Sequence, residues 1–285
     1  MTAEEAAYQR GSTPESLSPR SDQVPRSLRS APAEVPTRVA SGDDGVLVLI
    51  ADLCRALEAR GIRYCHFKSN ESIERSLSGE NDLDLLVARA DATAFEAALR
   101  ELAFREVRQP AWKRLPGIYH AYGVDPTGAF VHIHTHHQLV VGDDMTKNVH
   151  LPIESAYVAS SRSEGWFPIP APAYELSLFL IRMTVKHCTW DSIVSLQGSL
   201  ATSERRELED LRRAADLDDV VEVGRAHLPF IPEELWGRCL RAIEPGASLW
   251  FRVRTADRLQ RALAGCSRRP PAADTWPGCG DGGGP

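Results

Sequence analysis

From residue 46 to residue 137, hydrophobic and polar positions switch between a helical and an extended period. Val46, Leu49, Ile50, Leu53 and Leu57 recur on one side of a 3.6-residue repeat. Gly61 then stops the pattern, so the spacing predicts a helix from Val46 to Arg60. Ile62 to Phe67 reads as a short strand, and Lys68-Ser69-Asn70 turns into a short helix through Ile73 and Leu77 that Gly79 ends. Leu83 to Val87 is a second strand, and Asp91 is placed to cap a helix from Ala92 to Leu102. Phe104 to Val107 adds a short extended run. Two further strands, Tyr119–Tyr122 and Ala129–His137, flank the turn signal Asp125-Pro126-Thr127-Gly128.

Beyond Pro152 the period becomes helical. Ala173–His187 is strongly apolar, and shorter helices are expected over 203–216, 217–227, 232–243 and 249–264. The expected fold class is therefore α/β. A mixed sheet with flanking helices occupies residues 45–160, and a helical region follows over 161–265. Residues 1–44 and 266–285 are dominated by Ser, Pro, Arg and Gly. Such segments bury too little apolar surface to offset the entropy of ordering, so both are expected to be disordered tails.

Composition narrows the function classes. Hydrophobic residues make up 43% of the chain, enough for a substantial core, but no apolar run reaches the length needed to cross a bilayer. With no apolar centre of a secretory signal near Met1, a cytoplasmic protein with no membrane partner is expected. The six cysteines form no CxxC pair, which suits reduced thiols better than a disulfide framework. A net charge of −6 argues against general nucleic-acid binding, which needs a cationic surface.

Candidate chemistry concentrates in two strands. In Gly79-Glu80-Asn81-Asp82-Leu83-Asp84-Leu85-Leu86-Val87, residues two apart on a strand project from one face, so Asp82 and Asp84 point together. Paired carboxylates repel unless a cation lies between them, and hard oxygen ligands suit Mg²⁺ or Mn²⁺ carrying a nucleotide phosphate. The plain alternative is a turn entering an edge strand. The strand-to-helix bend at Lys68, Ser69 and Asn70 offers an ammonium, a hydroxyl and free backbone N–H groups to phosphate, although Ser69 or Asn70 also serves as a simple cap. The second strand reads Val131-His132-Ile133-His134-Thr135-His136-His137, which sets His132, His134 and His136 on one face. Histidine there ligates a metal, acts as a base near neutral pH, or is merely solvated. Gly142-Asp143-Asp144 reads as a turn that also offers surrogate acids.

A small-residue turn after a strand, a short helix and a strand bearing Asp-x-Asp together resemble the DNA polymerase β-type nucleotidyltransferase superfamily. Tyr64 to Glu71, Gly79 to Val87, the histidine strand and Lys147-Asn148-Val149-His150-Leu151-Pro152 resemble uncharacterised bacterial nucleotidyltransferase-like domains found upstream of thymidylate-kinase-like domains. The resemblance covers roughly residues 45–190. It implies that Ser69 and its neighbours hold a nucleoside triphosphate and that Asp82 and Asp84 bind metal. It also implies transfer of a nucleotidyl group to a small-molecule or protein acceptor, with His132 or His134 assisting. The chain departs from the superfamily in two places: Lys68 stands where the turn has Gly, and the histidine strand replaces the third carboxylate. Two other readings stay open. One is a catalytically inactive nucleotide-binding or scaffold domain. The other follows from Ile133-His134-Thr135-His136, which resembles the first motif of PHP-type metal phosphoesterases.

Overall fold

The computed structural model describes residues 45–68, 70, 73–108, 115, 117–142, 149–195 and 198–266. Ser69, Asp143, Asp144, Lys147, Asn148 and both terminal tails up to 44 and from 267 lie outside the described residues.

The sheet holds five strands, β1 (Tyr64–His66), β2 (Leu83–Val87), β3 (Arg105–Glu106), β4 (Ile118–Val124) and β5 (Phe130–His136), in the order β1-β2-β5-β4-β3. β2 is antiparallel to β1 and parallel to β5, and β4 is antiparallel to both β5 and β3. The parallel pair is reached by a crossover that contains α3 (Ala92–Glu101). This is the mixed α/β sheet that the alternating periods lead one to expect.

Each face of the sheet has a different cover. Leu83, Leu85, Val87, Val131, Ile133 and Ala121 pack under α1 (Val48–Ala59) and α3, whose Ile50, Leu53, Leu57, Phe95 and Ala98 complete one apolar cluster. Gly123 is required there: a Cβ on it would lie 2.6 Å from Leu49 Cδ2 and 2.7 Å from Phe104 Cε1. Gly123→Val is therefore expected to cost about 1–3 kcal/mol through overpacking. The urea midpoint should fall while the dependence on urea concentration stays unchanged.

On the opposite face, Cys65, Phe67 and Leu86 join a second cluster with Tyr157 and the 16-residue α5 (Pro172–His187). The helices α7 (Thr202–Ala214), α8 (Leu217–His227), α9 (Glu233–Ile243) and α10 (Leu249–Ala262) pack around α5, with Trp236 fully buried. No helix among the described residues is long and apolar enough to cross a membrane.

Several local expectations change. Asp91 does not cap α3; its carboxylate accepts from the backbone N–H of Arg63 at 3.0 Å and from that residue's guanidinium. A bidentate arginine partner outcompetes the weaker cap bond. Two hairpins escaped the periodicity, β6 (Leu139–Val141) with β7 (Val149–Leu151), and β8 (Arg162–Glu164) with β9 (Phe167–Ile169). Three-residue strands are too short to show a period of two. The short α4 (Glu154–Ala159) and α6 (Trp190–Val194) were missed for the same reason.

Candidate metal centre

The loop that launches β2 is tightly bonded. The N–H groups of Glu80 and Asn81 both donate to Arg75 O, and the Ser76 hydroxyl donates to Asp82 O at 3.0 Å. Gly79 adopts φ +77°, in the left-handed region that favours glycine. These bonds fix where β2 begins. Its alternation then sends Leu83, Leu85 and Val87 to the helix-covered core and leaves Asp82 and Asp84 on the other face.

Parallel register places Asp84 beside His134 and Leu86 beside His136. His132 Nδ1 lies 2.7 Å from Asp82 Oδ1. A single oxygen of Asp84, Oδ1, accepts from His134 Nδ1 at 3.0 Å, His136 Nε2 at 3.2 Å and Lys68 Nζ at 3.0 Å. The structure thus brings Lys68, Asp82, Asp84, His132, His134 and His136 together. Asp82 is the outer member, its side chain 56% exposed against 17% for Asp84.

Burial raises the pKa of the Asp84 carboxyl, but the hydrogen bonds from His134 and His136 and the Lys68 charge outweigh it. Together they hold the group well below the usual carboxylate range. An ionised carboxylate only accepts, so the bonded nitrogens of His134 and His136 carry the protons in this arrangement. Burial pushes His136 down to about 3, so its imidazole is neutral at pH 7. Its other nitrogen, Nδ1, is buried with no hydrogen-bond partner.

Lys68 sits at φ +63°. A lysine rarely adopts this left-handed conformation, which costs about 1 kcal/mol or more, and such strain clusters at functional turns. The backbone therefore takes a glycine-like shape although the side chain is a cation aimed at Asp84. Asn70 is used otherwise: its amide bridges His66 and Glu175 through close hydrogen bonds.

His120 is a further member that the strand reading passed over. Its Nδ1 lies 3.0 Å from His132 Nε2, and its ring stacks on that of His134 with centroids 4.4 Å apart. Burial, followed by the neighbouring imidazoles, lowers its pKa to about 4. The signal was in the hairpin register: counting back from the turn at Asp125–Gly128 pairs Tyr122 with His132 and His120 with His134. A cavity of about 240 Å³ lies on the α3 side of the sheet, lined by Leu99, Arg100, Phe104, Tyr119, Thr135 and His137. It reaches none of the clustered carboxylates, so the chemistry is located by donor geometry and not by concavity.

Asp84, His134 and His136 can each give one atom to a common metal ion. Donors about 2.0–2.2 Å from one ion stand about 3–3.5 Å apart, which is the spacing at Asp84. An ionised Asp84 loses no proton on ligating, whereas the histidine nitrogens that donate to it must first give theirs up, to the other ring nitrogen or to solvent. The residues therefore fit a divalent cation, with Lys68 Nζ yielding its place beside the carboxylate. No protein-family model and no curated protein matches this chain. The case for function rests on the site alone.

Proposed function

We propose that this chain binds a nucleoside triphosphate with a divalent cation on the Asp/His face of β2 and β5. It transfers the nucleotidyl group to a small-molecule or protein acceptor, as nucleotidyltransferases do. One observation carries the reading: Asp82 and Asp84 lie on one face at the start of β2, and Asp84 gathers the ammonium of Lys68, which follows β1. Lys68 is placed to exchange Asp84 for a phosphate. The cation supplies charge neutralisation on the phosphates. Two imidazoles beside one carboxylate favour Mn²⁺ or Zn²⁺ over Mg²⁺, which prefers oxygen donors. In the transfer, the acceptor oxygen bonds to the α-phosphorus and the α–β phosphoanhydride breaks. The acceptor proton passes to the imidazole of His132, which lies outside the three-ligand group, and pyrophosphate leaves. A cytoplasmic setting belongs to the same proposal; it accords with five buried, unpaired cysteines among the described residues.

The test is a thermal-shift series of the four triphosphates with Mg²⁺, Mn²⁺ or Zn²⁺, paired with a pyrophosphate-release assay. Ligand binding to the folded state raises Tm. The rise is expected with at least one triphosphate and to vanish in Asp82→Asn/Asp84→Asn. A shift that survives the double substitution removes the site from the reading. Binding without pyrophosphate release from any acceptor tried would favour a nucleotide-binding scaffold. A hydrolytic reading draws on a separate observation, that the three-ligand group includes both His134 and His136 and omits Asp82. It requires phosphate release from an aryl phosphate in the Asp82→Ala variant.

A further inference from the structure

The face that carries the carboxylates does not end at Asp82. In the β4–β5 hairpin, Tyr122 pairs with His132 and Val124 pairs with Phe130, so all four side chains leave the sheet on the Asp82–Asp84 side. The Tyr122 and His132 rings stack with centroids 4.3 Å apart and planes within 1°. Phe130 is 72% exposed, Val124 60% and Tyr122 39%. Phe130 and Tyr122 are diagonal neighbours across the strand pair, within aromatic reach of each other. An apolar shelf thus continues the ring series His136–His134–His132 outward from the buried end.

The hairpin does not need this shelf to stay ordered. On its other face Ala121, Gly123 and Val131 lie against the α1 and α3 core. Its turn is pinned by Asp125, whose carboxylate accepts from Leu49 N at 2.8 Å and from the Thr127 N–H and hydroxyl. Surface aromatics that fold stability does not require, contiguous with a charged cluster, have the character of a stacking platform.

The geometry points to Tyr122 and Phe130 as the subsite for a planar aromatic ring, the nucleobase of the triphosphate whose phosphates meet Lys68 and Asp84. This rests on the nucleotide reading above. Phe130 lies two strand residues beyond His132 and four beyond His134, about 7 and 13 Å along β5. A ribose and its phosphates bridge such an interval. Stacking does not depend on hydrogen-bond pattern, so the subsite accepts all four bases and prefers the larger purine surface.

Calorimetric titration with Mn²⁺ present separates the parts. ATP, CTP and inorganic tripolyphosphate are each titrated into the parent, Phe130→Ala, Tyr122→Ala and Phe130→Trp. The expected result is that ATP binds the parent more tightly than tripolyphosphate. Either alanine variant should weaken ATP by about tenfold while leaving tripolyphosphate unchanged, and Phe130→Trp should retain the ATP affinity. If ATP binds all four proteins equally, the shelf proposal fails and the nucleotide reading stands. If ATP and tripolyphosphate both fail to bind the parent, both fall together. Sedimentation of the same proteins covers the remaining occupant: a parent dimer that Phe130→Ala dissociates, with ATP affinity unchanged, makes the shelf a contact between copies and overturns the proposal.

Discussion

Asp84→Asn is expected to weaken binding of Mn²⁺ or Zn²⁺ alone by at least about a hundredfold, while Asp82→Asn changes it by less than about threefold. Asp84 is the shared point of the cluster, since one of its oxygens meets both imidazoles and Lys68. Asparagine keeps the shape but loses the negative charge that imidazole ligands cannot replace. Asp82 instead pairs with His132 at the open edge and lies outside the three-ligand group. His134→Gln should follow Asp84→Asn, because an amide is a poor ligand for a borderline cation. Metal titration by calorimetry in nucleotide-free buffer is the measurement. Equal losses for the two aspartates would mean that both carboxylates hold the ion. No loss for Asp84→Asn would remove the metal centre altogether.

The two aspartates should exchange importance once nucleotide is present. Asp82 has an exposed carboxylate that can turn from His132 toward a phosphate-bound cation, whereas Asp84 is committed to the buried end. The Asp82→Asn protein should therefore bind metal yet fail in pyrophosphate release, a split that a purely structural Asp82 would not give. Fold by itself does not decide between chemistry and binding. That split does.

Much of this arrangement was legible before any coordinates. Leu83-Asp84-Leu85 alternates before the strand turns apolar on both faces at Leu86, so the face of Asp82 and Asp84 followed from the pleat, and the histidine strand declared its two faces in the same way. Which carboxylate meets which imidazole was not legible, because it depends on a parallel register between strands whose paired residues lie 50 apart in the chain. Register is set by the packing of Leu83 and Ile133 under the helices and leaves no local mark. The role of Lys68 was hidden for another reason. Propensity places glycine in a left-handed turn, yet here a lysine takes that conformation beside a buried carboxylate. His120 could have been found by counting from the hairpin turn. The link from Asn70 to His66 and Glu175 could not, since Glu175 is 105 residues away.

Acid should unfold this protein in two stages, with histidine first. His137 is buried, its Nδ1–H donates to Val87 O at 3.1 Å, and burial lowers its pKa to about 4. In the unfolded chain the same group titrates near 6.5. Above that value the imidazole is neutral in both states, so its contribution to stability is constant. As pH falls through 6.5 the unfolded state takes a proton that the native state refuses until about pH 4. Stability therefore drops by roughly 1.4 kcal/mol per pH unit, about 2–3 kcal/mol for this residue by pH 4. His136, held down to about 3 by burial, acts in the same direction. The carboxylates follow. Burial raises the pKa of Glu204, but its hydrogen bonds to His187, Ala201 N and Lys186 lower it to about 2. Its stabilisation is present above about 4.3 and is lost as pH falls toward 2. Urea unfolding between pH 7.5 and 4.5 should show the first stage. His137→Asn, whose amide can still donate to Val87 O but does not titrate, should remove close to one proton from the slope. An unchanged slope in that variant would mean that His137 is protonated as readily in the native protein as in the unfolded chain.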